Sequence, residues 1–472
     1  MISNNRFYIN KMPSFNVKSI YFVGIGGIGM SGIAQVLLNL GFKIYGSDIQ
    51  GNKTIEKLKN NGAIIYNKHR GENIKSADVV VISSAITNKN PEIISAKKLK
   101  IPIIPRAQML AELMRFSLGV AVSGTHGKTT TTSLIAQILN HTDLDPTYVI
   151  GGVLNNTGSN AKLGRGAYLI AEADESDASF LYLHPMIAIV TNIDADHLST
   201  YGGSFEKLKQ TFVKFLHQVP FYGTVILCID NTVVKNLISQ ITKPILTYGF
   251  ADDADYKITN LRYKNHCSYF DLQKNNKIFM RSIKLPMPGE HNVQNATAAI
   301  ALADLLEIDK KTIKNAIGNF NGINRRFDVY GNVKLPDKKI TLINDYAHHP
   351  TEIAATIKAA TDCYADKRLV VVFQPHRYSR TQELLDDFSS VLSTVDILLI
   401  SEVYAASEKK IEQADGRHLC QNIRARGITN PIFIDDISNM RDNLAKICQD
   451  QDVVLCIGAG DISVQVQKMV NL

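Results

Sequence analysis

The stretch SGTHGKTTTT, residues 123–132, combines glycines, one lysine and a run of hydroxyl side chains at the spacing of a phosphate-binding turn. Successive backbone N–H groups in such a turn form a cradle for an anion. Lys128 can reach the outer phosphates of a nucleotide, and a hydroxyl from Thr129 or Thr130 can ligate Mg²⁺. The spacing G-x-x-G-K-T is shorter than the usual G-x-x-x-x-G-K-T, but an apolar run precedes it and a helical pattern follows. We therefore expect nucleotide phosphates to bind at this turn.

The first glycine motif along the chain, GIGGIG, places Gly24, Gly26 and Gly29 at the G-x-G-x-x-G spacing directly after another apolar run. Such glycines let the backbone turn tightly against a pyrophosphate at a helix N-terminus. Asp48 follows Gly29 by about 19 residues, where an acidic residue meets the ribose in dinucleotide-binding proteins. The motif predicts a diphosphate ligand, and by itself it permits a nicotinamide-dependent dehydrogenase.

Acidic residues follow the next apolar runs. EADESD contains Glu172, Asp174, Glu175 and Asp177, and TNIDADH ends in His197. Mg²⁺ prefers oxygen ligands beside a transferred phosphoryl group, so carboxylates next to a phosphate loop indicate a metal site. A solvated acidic loop is the alternative interpretation.

A third group of polar residues lies in the segments 344–352 and 373–380. Arg377 and Arg380 lie three residues apart after an apolar run, and a guanidinium binds a carboxylate or a phosphate bidentately. The alternative is a surface ion-pair cluster. The two segments also contain the histidines His348, His349 and His376.

Short apolar runs alternate with stretches of helical length along most of the chain, which is typical of βαβ units and parallel sheets. The length predicts about three domains. We expect three α/β domains: a nucleotide-fold domain, a second domain of parallel-sheet strands that carries the phosphate turn, and a last third that repeats the α/β pattern. Their expected bounds, after an N-terminal tail at 1–17, are 18–117, 118–325 and 326–472. Residues 255–285 alternate as strands do, and helices are expected at 351–364 and 381–392.

Composition limits the function classes. Hydrophobic residues make up 45% and charged residues 20% of the 472 residues, and no apolar run is long enough for a membrane span. The net charge of +8 is scattered rather than clustered, which argues against a nucleic-acid partner. The six cysteines form no C-x-x-C pair. We expect a cytoplasmic protein, without membrane insertion, that is a monomer or a homodimer.

The motifs in this order resemble the Mur ligases of peptidoglycan synthesis. The resemblance covers nearly the whole chain after the tail and rests on the segments GIGGIGMSGIA, SSAI, NPEI, RAQMLAELMR, GTHGKTTTT, EADESDASF, TNIDADH, LKQTF, PFYG, PGEHNVQNA, RRFD, DYAHHPTE, FQPHRYSRT and VYAASE. It implies that ATP drives the joining of L-alanine to the lactyl carboxylate of UDP-N-acetylmuramate through an acyl phosphate. It also implies a Rossmann-like first domain that binds the UDP-substrate, a central P-loop-type ATPase domain with a mostly parallel sheet, and a Rossmann-like C-terminal domain that binds the amino acid.

The resemblance also implies residue roles. The implied ATP contacts are Gly124, Thr125, His126, Gly127, Lys128, Thr129, Thr130, His291, Asn292, Asn295 and Arg326. The implied ligands of Mg²⁺, with two ions expected, are Thr129, Glu172 and His197. The implied contacts of UDP-N-acetylmuramate are Gly24, Gly26, Gly27, Gly29, Asp48, His69, Ser83, Arg106 and Asn192. The implied contacts of L-alanine are Tyr346, His348, His376, Arg377 and Arg380. The implied catalytic residues are Lys128, Glu172, His197, Arg326, His348 and Arg377.

Three alternatives remain open from the sequence. A dehydrogenase would use the first glycine motif and leave the second phosphate turn without a role. A non-catalytic ATP-dependent switch would need only the phosphate turn. A related ligase could join a preformed tripeptide, instead of L-alanine, to UDP-N-acetylmuramate during wall recycling.

Overall fold

A computed structural model of the protein describes residues 17–83, 85–155 and 158–471. The expected N-terminal tail lies outside the described residues except for Val17, and so does Ser84 of the SSAI segment. The chain forms two compact units. The first contains the described residues up to Asn260 with Phe270–Lys284 and Gln294–Asn321, and the second contains Leu261–Tyr269, Leu285–Val293 and the chain from Gly322 onward. Among the described residues, none of the helices has the length and apolar character needed to cross a membrane.

The first sheet has the strand order β3-β2-β1-β4-β5, and all its pairs are parallel. This order is that of a doubly wound nucleotide-binding sheet. Its strands are β1 (Ser19–Val23), β2 (Lys43–Ser47), β3 (Ile64–Tyr66), β4 (Val79–Ile82) and β5 (Ile103–Pro105). Its helices are α1 (Ile28–Asn39), α2 (Lys53–Asn60), α3 (Pro91–Lys98) and α4 (Arg106–Met114). Every residue of β1 is buried, as expected for a central parallel strand covered on both faces.

The second sheet has ten strands in the order β15-β14-β13-β12-β11-β10-β6-β9-β7-β8. The pairs from β13 through β12, β11, β10, β6 and β9 to β7 are parallel, and β7 with β8 is antiparallel. Its first strands are β6 (Leu118–Ser123), β7 (Thr147–Leu154), β8 (Ser159–Lys162), β9 (Tyr168–Glu172) and β10 (Ile187–Val190). The later ones are β11 (Thr224–Cys228), β12 (Ile245–Gly249), β13 (Tyr256–Lys264), β14 (Cys267–Lys274) and β15 (Lys277–Leu285). The helices in this part of the chain are α5 (Lys128–Asn140), α6 (Phe205–His217), α7 (Thr232–Leu237), α8 (Glu290–Leu305) and α9 (Lys310–Gly318).

The third sheet belongs to the second compact unit and has the order β16-β17-β21-β18-β19-β20, with only the β16–β17 pair antiparallel. Its strands are β16 (Asp328–Leu335), β17 (Lys338–Asp345), β18 (Leu369–Phe373), β19 (Ile397–Ser401), β20 (Ile432–Ile434) and β21 (Val453–Ile457). Its helices are α10 (Pro350–Cys363), α11 (Tyr378–Glu383), α12 (Leu385–Leu392), α13 (Gly416–Ala425), α14 (Met440–Ile447) and α15 (Ile462–Val470). Two buried apolar clusters take alternate residues of these strands, so the sheet is covered on both faces.

Helix α1 connects the first two sheets inside the first unit, because it contacts both β7 and β8. Gly32 faces this contact, and a Cβ there would lie 3.2 Å from Cγ1 of Val149, closer than ordinary van der Waals contact. The Asn160 side-chain amide donates to the Ile28 carbonyl at 2.7 Å. Apolar residues of both sheets form one continuous core around this helix. The position of the first glycine turn relative to the second sheet is therefore set by packing.

Most of the predicted elements are confirmed, and one helix prediction is wrong. The α/β class, the strands at 255–285 and the helix near 351–364 agree with the structure. The helix expected at 381–392 is divided into α11 and α12, which meet at Leu384, whose backbone (φ −114°, ψ 24°) is not helical. The antiparallel β7–β8 hairpin was not predicted.

A fully buried carboxylate, Glu92 on α3, organises the first sheet. The hydroxyls of Tyr21 and Ser47 each donate to it at 2.7 Å. The side-chain amide of Asn73 donates at 2.8 Å, and Nδ1 of His69 lies 2.9 Å away. Burial of the Tyr21 hydroxyl is the main cause that raises its pKa. This carboxylate thus ties the strands β1 and β2 to the segment that carries His69.

We expect Glu92→Ala to reduce the local stability of the first sheet by about 3 kcal/mol, because it leaves several buried donors without an acceptor. The measurement is amide hydrogen exchange of β1 and β2, which reports the free energy of local opening. Glu56→Ala removes an exposed carboxylate from α2 and serves as the control. Equal loss of protection in the two variants would contradict this role of Glu92.

Candidate functional site

The first glycine turn follows β1 and is braced by a carboxylate from the end of β2. The Gly26 N–H donates to Oδ2 of Asp48 at 2.8 Å, and Oδ1 of the same carboxylate accepts from the Gln50 N–H at 3.0 Å. The Gly24 N–H donates to the Ser47 carbonyl at 2.9 Å. Asp48 therefore contributes to the shape of the turn, a role that the sequence did not indicate.

The phosphate loop lies between β6 and α5 and ends in a left-handed residue, Gly127, with φ of +82°. A Cβ at this position would lie 2.5 Å from Oδ1 of Asn295, which explains the glycine. The same Asn295 oxygen accepts a hydrogen bond from the Thr131 hydroxyl at 3.2 Å. Helix α8 thus presents Asn295 directly to the phosphate loop.

Asn192, which follows β10, holds the loop from the other side. Its Oδ1 accepts from the His126 N–H at 2.8 Å, and its Nδ2 donates to the His126 carbonyl at 3.1 Å. Its backbone carbonyl accepts from the Thr125 N–H at 3.1 Å. Nearby, Oδ2 of Asp194 lies 3.0 Å from Nε2 of His126. The structure thus places Asn192 against the phosphate loop, whereas the resemblance implied a contact with the UDP-substrate.

The Lys128 ammonium is surrounded by acceptors. Both carboxylate oxygens of Glu175 lie within 2.9 Å of Nζ, and the carbonyls of Gly124 and Thr125 lie at 2.6 and 3.1 Å. Burial lowers the pKa of Lys128, but the charges of Glu175, Asp174 and Glu172 outweigh it, and the pKa is raised overall. Burial raises the pKa of Glu175 to about 7 against the opposing charge of Lys128. The two groups form a buried ion pair.

Gly27 and Gly29 of the first glycine turn and Lys128 after the phosphate loop line one cleft of about 260 Å³ within the first unit. Across it, Nη2 of Arg106 lies 3.3 Å from Oδ2 of Asp174. The cleft is lined by Gly27, Ile28, Gly29, Met30, Ser83, Arg106, Leu110, Lys128, Val149, Ile150, Gly151, Glu172 and Asp174. The structure therefore brings expected contacts of the UDP-substrate and expected contacts of the nucleotide to the same space.

The expected metal ligands divide between this cleft and its surroundings. Glu172 lines the cleft, and its Oε1 accepts from the Gly151 N–H at 2.6 Å. Thr129 lies in the first turn of α5. His197, with φ of +54°, has its Nε2 3.5 Å from Oδ2 of Asp196 and is not among the described residues that line the cleft.

Across the described ranges, His, Cys, Asp and Glu side chains form no group of three or more that could hold a metal ion. Mg²⁺ in phosphoryl-transfer sites uses one or two carboxylates together with substrate phosphates and water. The carboxylate of Glu172, facing the same cleft as Lys128, fits this requirement.

The expected amino-acid contacts lie in the second unit, where β17 and β18 end. The guanidinium of Arg326 lies 5.3 Å from the ring centroid of Tyr346, and the rings of Tyr346 and His348 are 5.3 Å apart. The ring of His348 lies 6.0 Å from that of His376. Arg380 is buried, whereas Arg377 is exposed and has a left-handed backbone with φ of +69°. The structure thus brings the aromatic and imidazole members of the set together.

Both imidazoles of this cluster are held neutral. Burial is the largest cause that lowers the pKa of His348 to about 4, and the charge of Arg380 contributes. Burial also lowers the pKa of His376 to about 4, together with the charges of His348, Arg380 and Arg377. Nδ1 of His348 lies 3.1 Å from the Tyr346 carbonyl, and Nδ1 of His376 is buried without a hydrogen-bond partner. A neutral imidazole has an unprotonated ring nitrogen that can accept a hydrogen bond, but at a pKa of about 4 it binds a proton weakly near pH 7.

Asp345 was not predicted as a functional residue. Its buried carboxylate accepts from the N–H groups of Phe327 and Ala347, each at 2.8 Å. Burial raises its pKa to about 6. The Asp345 carboxylate joins the segment that carries Arg326 to the segment that carries Tyr346. Its position directly before Tyr346 is the one sequence signal that could have indicated this role.

The remaining expected residues lie elsewhere. His291 and Asn292 lie in the first turn of α8, where the Asn292 amide donates to the Pro288 carbonyl at 2.7 Å. Asp48 and His69 are not among the described residues that line the cleft.

Three Mur ligase family profiles match successive parts of the chain. The profile described as "Mur ligase family, catalytic domain" matches residues 19–117, "Mur ligase middle domain" matches 122–303, and "Mur ligase, glutamate ligase domain" matches 325–460.

Two relatives extend this result. The chain is 52% identical to a UDP-N-acetylmuramate–L-alanine ligase of Halorhodospira halophila, over 94% of this chain and 92% of that protein. It resembles the crystal structure of the UDP-N-acetylmuramate–alanine ligase of Thermotoga maritima with a TM-score of 0.80 and 29% identity, covering 96% and 98% of the two chains. A murein peptide ligase of Psychrobacter arcticus has a TM-score of 0.68 at 23% identity, over 96% and 98%, and shows the fold alone.

We expect the rings of His348 and His376 to titrate in NMR spectra with midpoints near pH 4, well below the ordinary value of about 6.5. The sign follows from burial, which disfavours the imidazolium form. The variants His348→Gln and His376→Gln assign the two signals. A midpoint at or above pH 6 for either ring would contradict this prediction, and one above about 6.5 would show that the site stabilises the charged form.

Proposed function

The chain belongs to the Mur ligase family, and on this premise we propose that it joins L-alanine to the lactyl carboxylate of UDP-N-acetylmuramate, with ATP hydrolysed to ADP and phosphate. The enzyme is an amide-bond ligase of peptidoglycan synthesis with a three-domain α/β fold. The 52% identity to an L-alanine ligase over 94% of the chain favours L-alanine over a tripeptide as the second substrate.

The observation that carries the proposal is the single cleft that Gly27 and Gly29 of the first glycine turn share with Lys128 and Glu172. A dehydrogenase gives Lys128 and Glu172 no task there, and a nucleotide switch gives none to the first turn. A ligase that phosphorylates the carboxylate of a nucleotide sugar needs both turns at once, because it must hold a diphosphate and a triphosphate next to each other.

We propose the following distribution of substrates. The UDP-substrate contacts Gly24, Gly26, Gly27, Gly29, Asp48, His69, Ser83, Arg106 and Asn192. ATP contacts the loop residues 124–130, His291, Asn292, Asn295 and Arg326. L-alanine contacts Tyr346, His348, His376, Arg377 and Arg380. The domains are 18–117, 118–325 and 326–472, and the enzyme works in the cytoplasm.

The chemistry explains why these groups are needed. A carboxylate resists attack by an amine, so the lactyl carboxylate first takes the γ-phosphoryl group of ATP and becomes an acyl phosphate. The amine of L-alanine then attacks the acyl carbon, and phosphate leaves from the tetrahedral intermediate. Both steps spread negative charge over oxygens, which Lys128 and Arg326 stabilise.

Glu172 and Thr129 are the proposed ligands of one Mg²⁺, and His197 lies at a proposed second. The metal, when bound, offsets the negative charge that develops on the phosphoryl oxygens. The Gly151 N–H fixes the orientation of the Glu172 carboxylate. In the second unit, the neutral imidazoles of His348 and His376 each have an unprotonated ring nitrogen that can accept a hydrogen bond from the alanine amine and orient it for attack. The departing phosphate, a stronger base, takes the proton that the amine releases.

The reaction is tested by measuring phosphate release from ATP and Mg²⁺ in the presence of UDP-N-acetylmuramate, with L-alanine, glycine, L-serine or the tripeptide added in turn. We expect release to require both UDP-N-acetylmuramate and L-alanine. Phosphate release without either substrate, or only with the tripeptide, would refute the proposed reaction. Tight binding or turnover of NADH would refute the assignment of the first domain to the UDP-substrate.

We expect Lys128→Ala to reduce phosphate release by about 100-fold or more, since it removes a charge that stabilises the transferred group. Binding of UDP-N-acetylmuramate, followed by calorimetry, stays within twofold of wild type because its proposed diphosphate contacts lie in the other glycine turn. Lys59→Ala, an exposed lysine of α2, is the control. Loss of both properties in the Lys128 variant would contradict the division of tasks between the turns.

A further inference from the structure

Glu175 is a buried acid in the phosphate loop region to which the proposed reaction assigns no task. Its side chain is 4% exposed, and its two oxygens lie 2.9 and 2.8 Å from Nζ of Lys128. Its backbone carbonyl accepts hydrogen bonds from the Tyr201 hydroxyl and, at 3.0 Å, from the Ala178 N–H. These two bonds hold the backbone that carries the carboxylate.

The hydrogen-bond capacity of Lys128 is fully used by these partners. An ammonium has three N–H donors, and three acceptor groups surround this one: the Glu175 carboxylate and the carbonyls of Gly124 and Thr125. To donate to a phosphate oxygen, Lys128 must give up at least one of them. The carbonyls belong to the loop itself, within four residues of the lysine, and Asn192 holds that loop in place. The carboxylate is the partner that a phosphate can replace, because both are anions.

The charges around the Lys128–Glu175 ion pair also affect how strongly the loop attracts a phosphate. Glu172 and Asp174 also act on Lys128 through their charges, and Arg106 lies against Asp174. A phosphate that enters this region meets three carboxylates around a single lysine. Removing the carboxylate closest to the lysine therefore makes the loop more attractive to an anion.

We propose that Glu175 is a positioning residue for Lys128, a counter-ion that competes with the nucleotide phosphates for the lysine and so limits how tightly the loop holds them. The inference rests on the proposed function, because it requires that nucleotide phosphates bind at this loop. A ligase must release ADP after each turnover. When the Glu175 carboxylate re-forms its ion pair with Lys128, it replaces the phosphate at the lysine and favours that release.

The test compares binding of ADP and AMP by calorimetry in buffer with EDTA, so that no divalent cation contributes. We expect Glu175→Gln to bind ADP at least fivefold more tightly than wild type and AMP within twofold of wild type, since the lysine acts on the outer phosphates. Glu175→Asp, whose shorter side chain reaches the lysine less well, tightens ADP binding by about twofold. Glu206→Gln removes an exposed carboxylate that pairs with Lys209 and leaves both affinities unchanged.

Weaker or unchanged ADP binding in the folded Gln variant would overturn the proposal, as would equal changes for ADP and AMP, which a merely structural role predicts. If the Gln variant does not fold, the Asp variant decides instead. Weaker or unchanged ADP binding in that variant, or equal changes for ADP and AMP, would overturn the proposal. Wild-type protein that bound neither nucleotide would overturn the proposed function and this inference together, whereas normal wild-type binding with an unaltered Glu175→Gln variant would overturn the inference alone.

Discussion

The close packing of helix α1 on the β7–β8 hairpin is the contact on which the arrangement of the cleft depends. The helix begins at the first glycine turn, and the hairpin belongs to the sheet that carries the phosphate loop. The approach is possible because Gly32 has no side chain and because Asn160 satisfies the Ile28 carbonyl. The first glycine turn and Lys128, which come from separate sheets, therefore line one space, and the proposed chemistry requires that proximity.

Around each turn, partly buried polar side chains contribute to the shape of the backbone. Asp48 accepts from the first turn, and Asn192 accepts from and donates to the second. Because these groups are already hydrogen-bonded within the protein, little reorganisation is needed when charge develops on a ligand. In the second unit, the buried carboxylate of Asp345 is likewise already hydrogen-bonded within the protein, because it accepts from the N–H groups of Phe327 and Ala347.

The sequence predicted the features that depend on local pattern. Apolar runs, glycine spacing and the residues after each run identified the parallel sheets, both turns and Glu172 beside Lys128. It could not predict contacts between residues distant in the chain. Asn192 and Glu175 lie 66 and 47 residues from their loop partners, and no local pattern distinguishes them from other polar residues at strand ends. The break at Leu384 was missed because the side-chain periodicity of α11 and α12 continues through a residue whose backbone leaves the helix.

The absent side chain at Gly32 has a further consequence for the cleft. A side chain at this position would press against Val149 and Asn160, so a replacement of Gly32 would require the helix or the hairpin to shift. Because α1 begins directly after the first glycine turn, such a shift would alter the distance between that turn and Lys128. Residue 32 therefore influences the geometry of the cleft without being part of its lining.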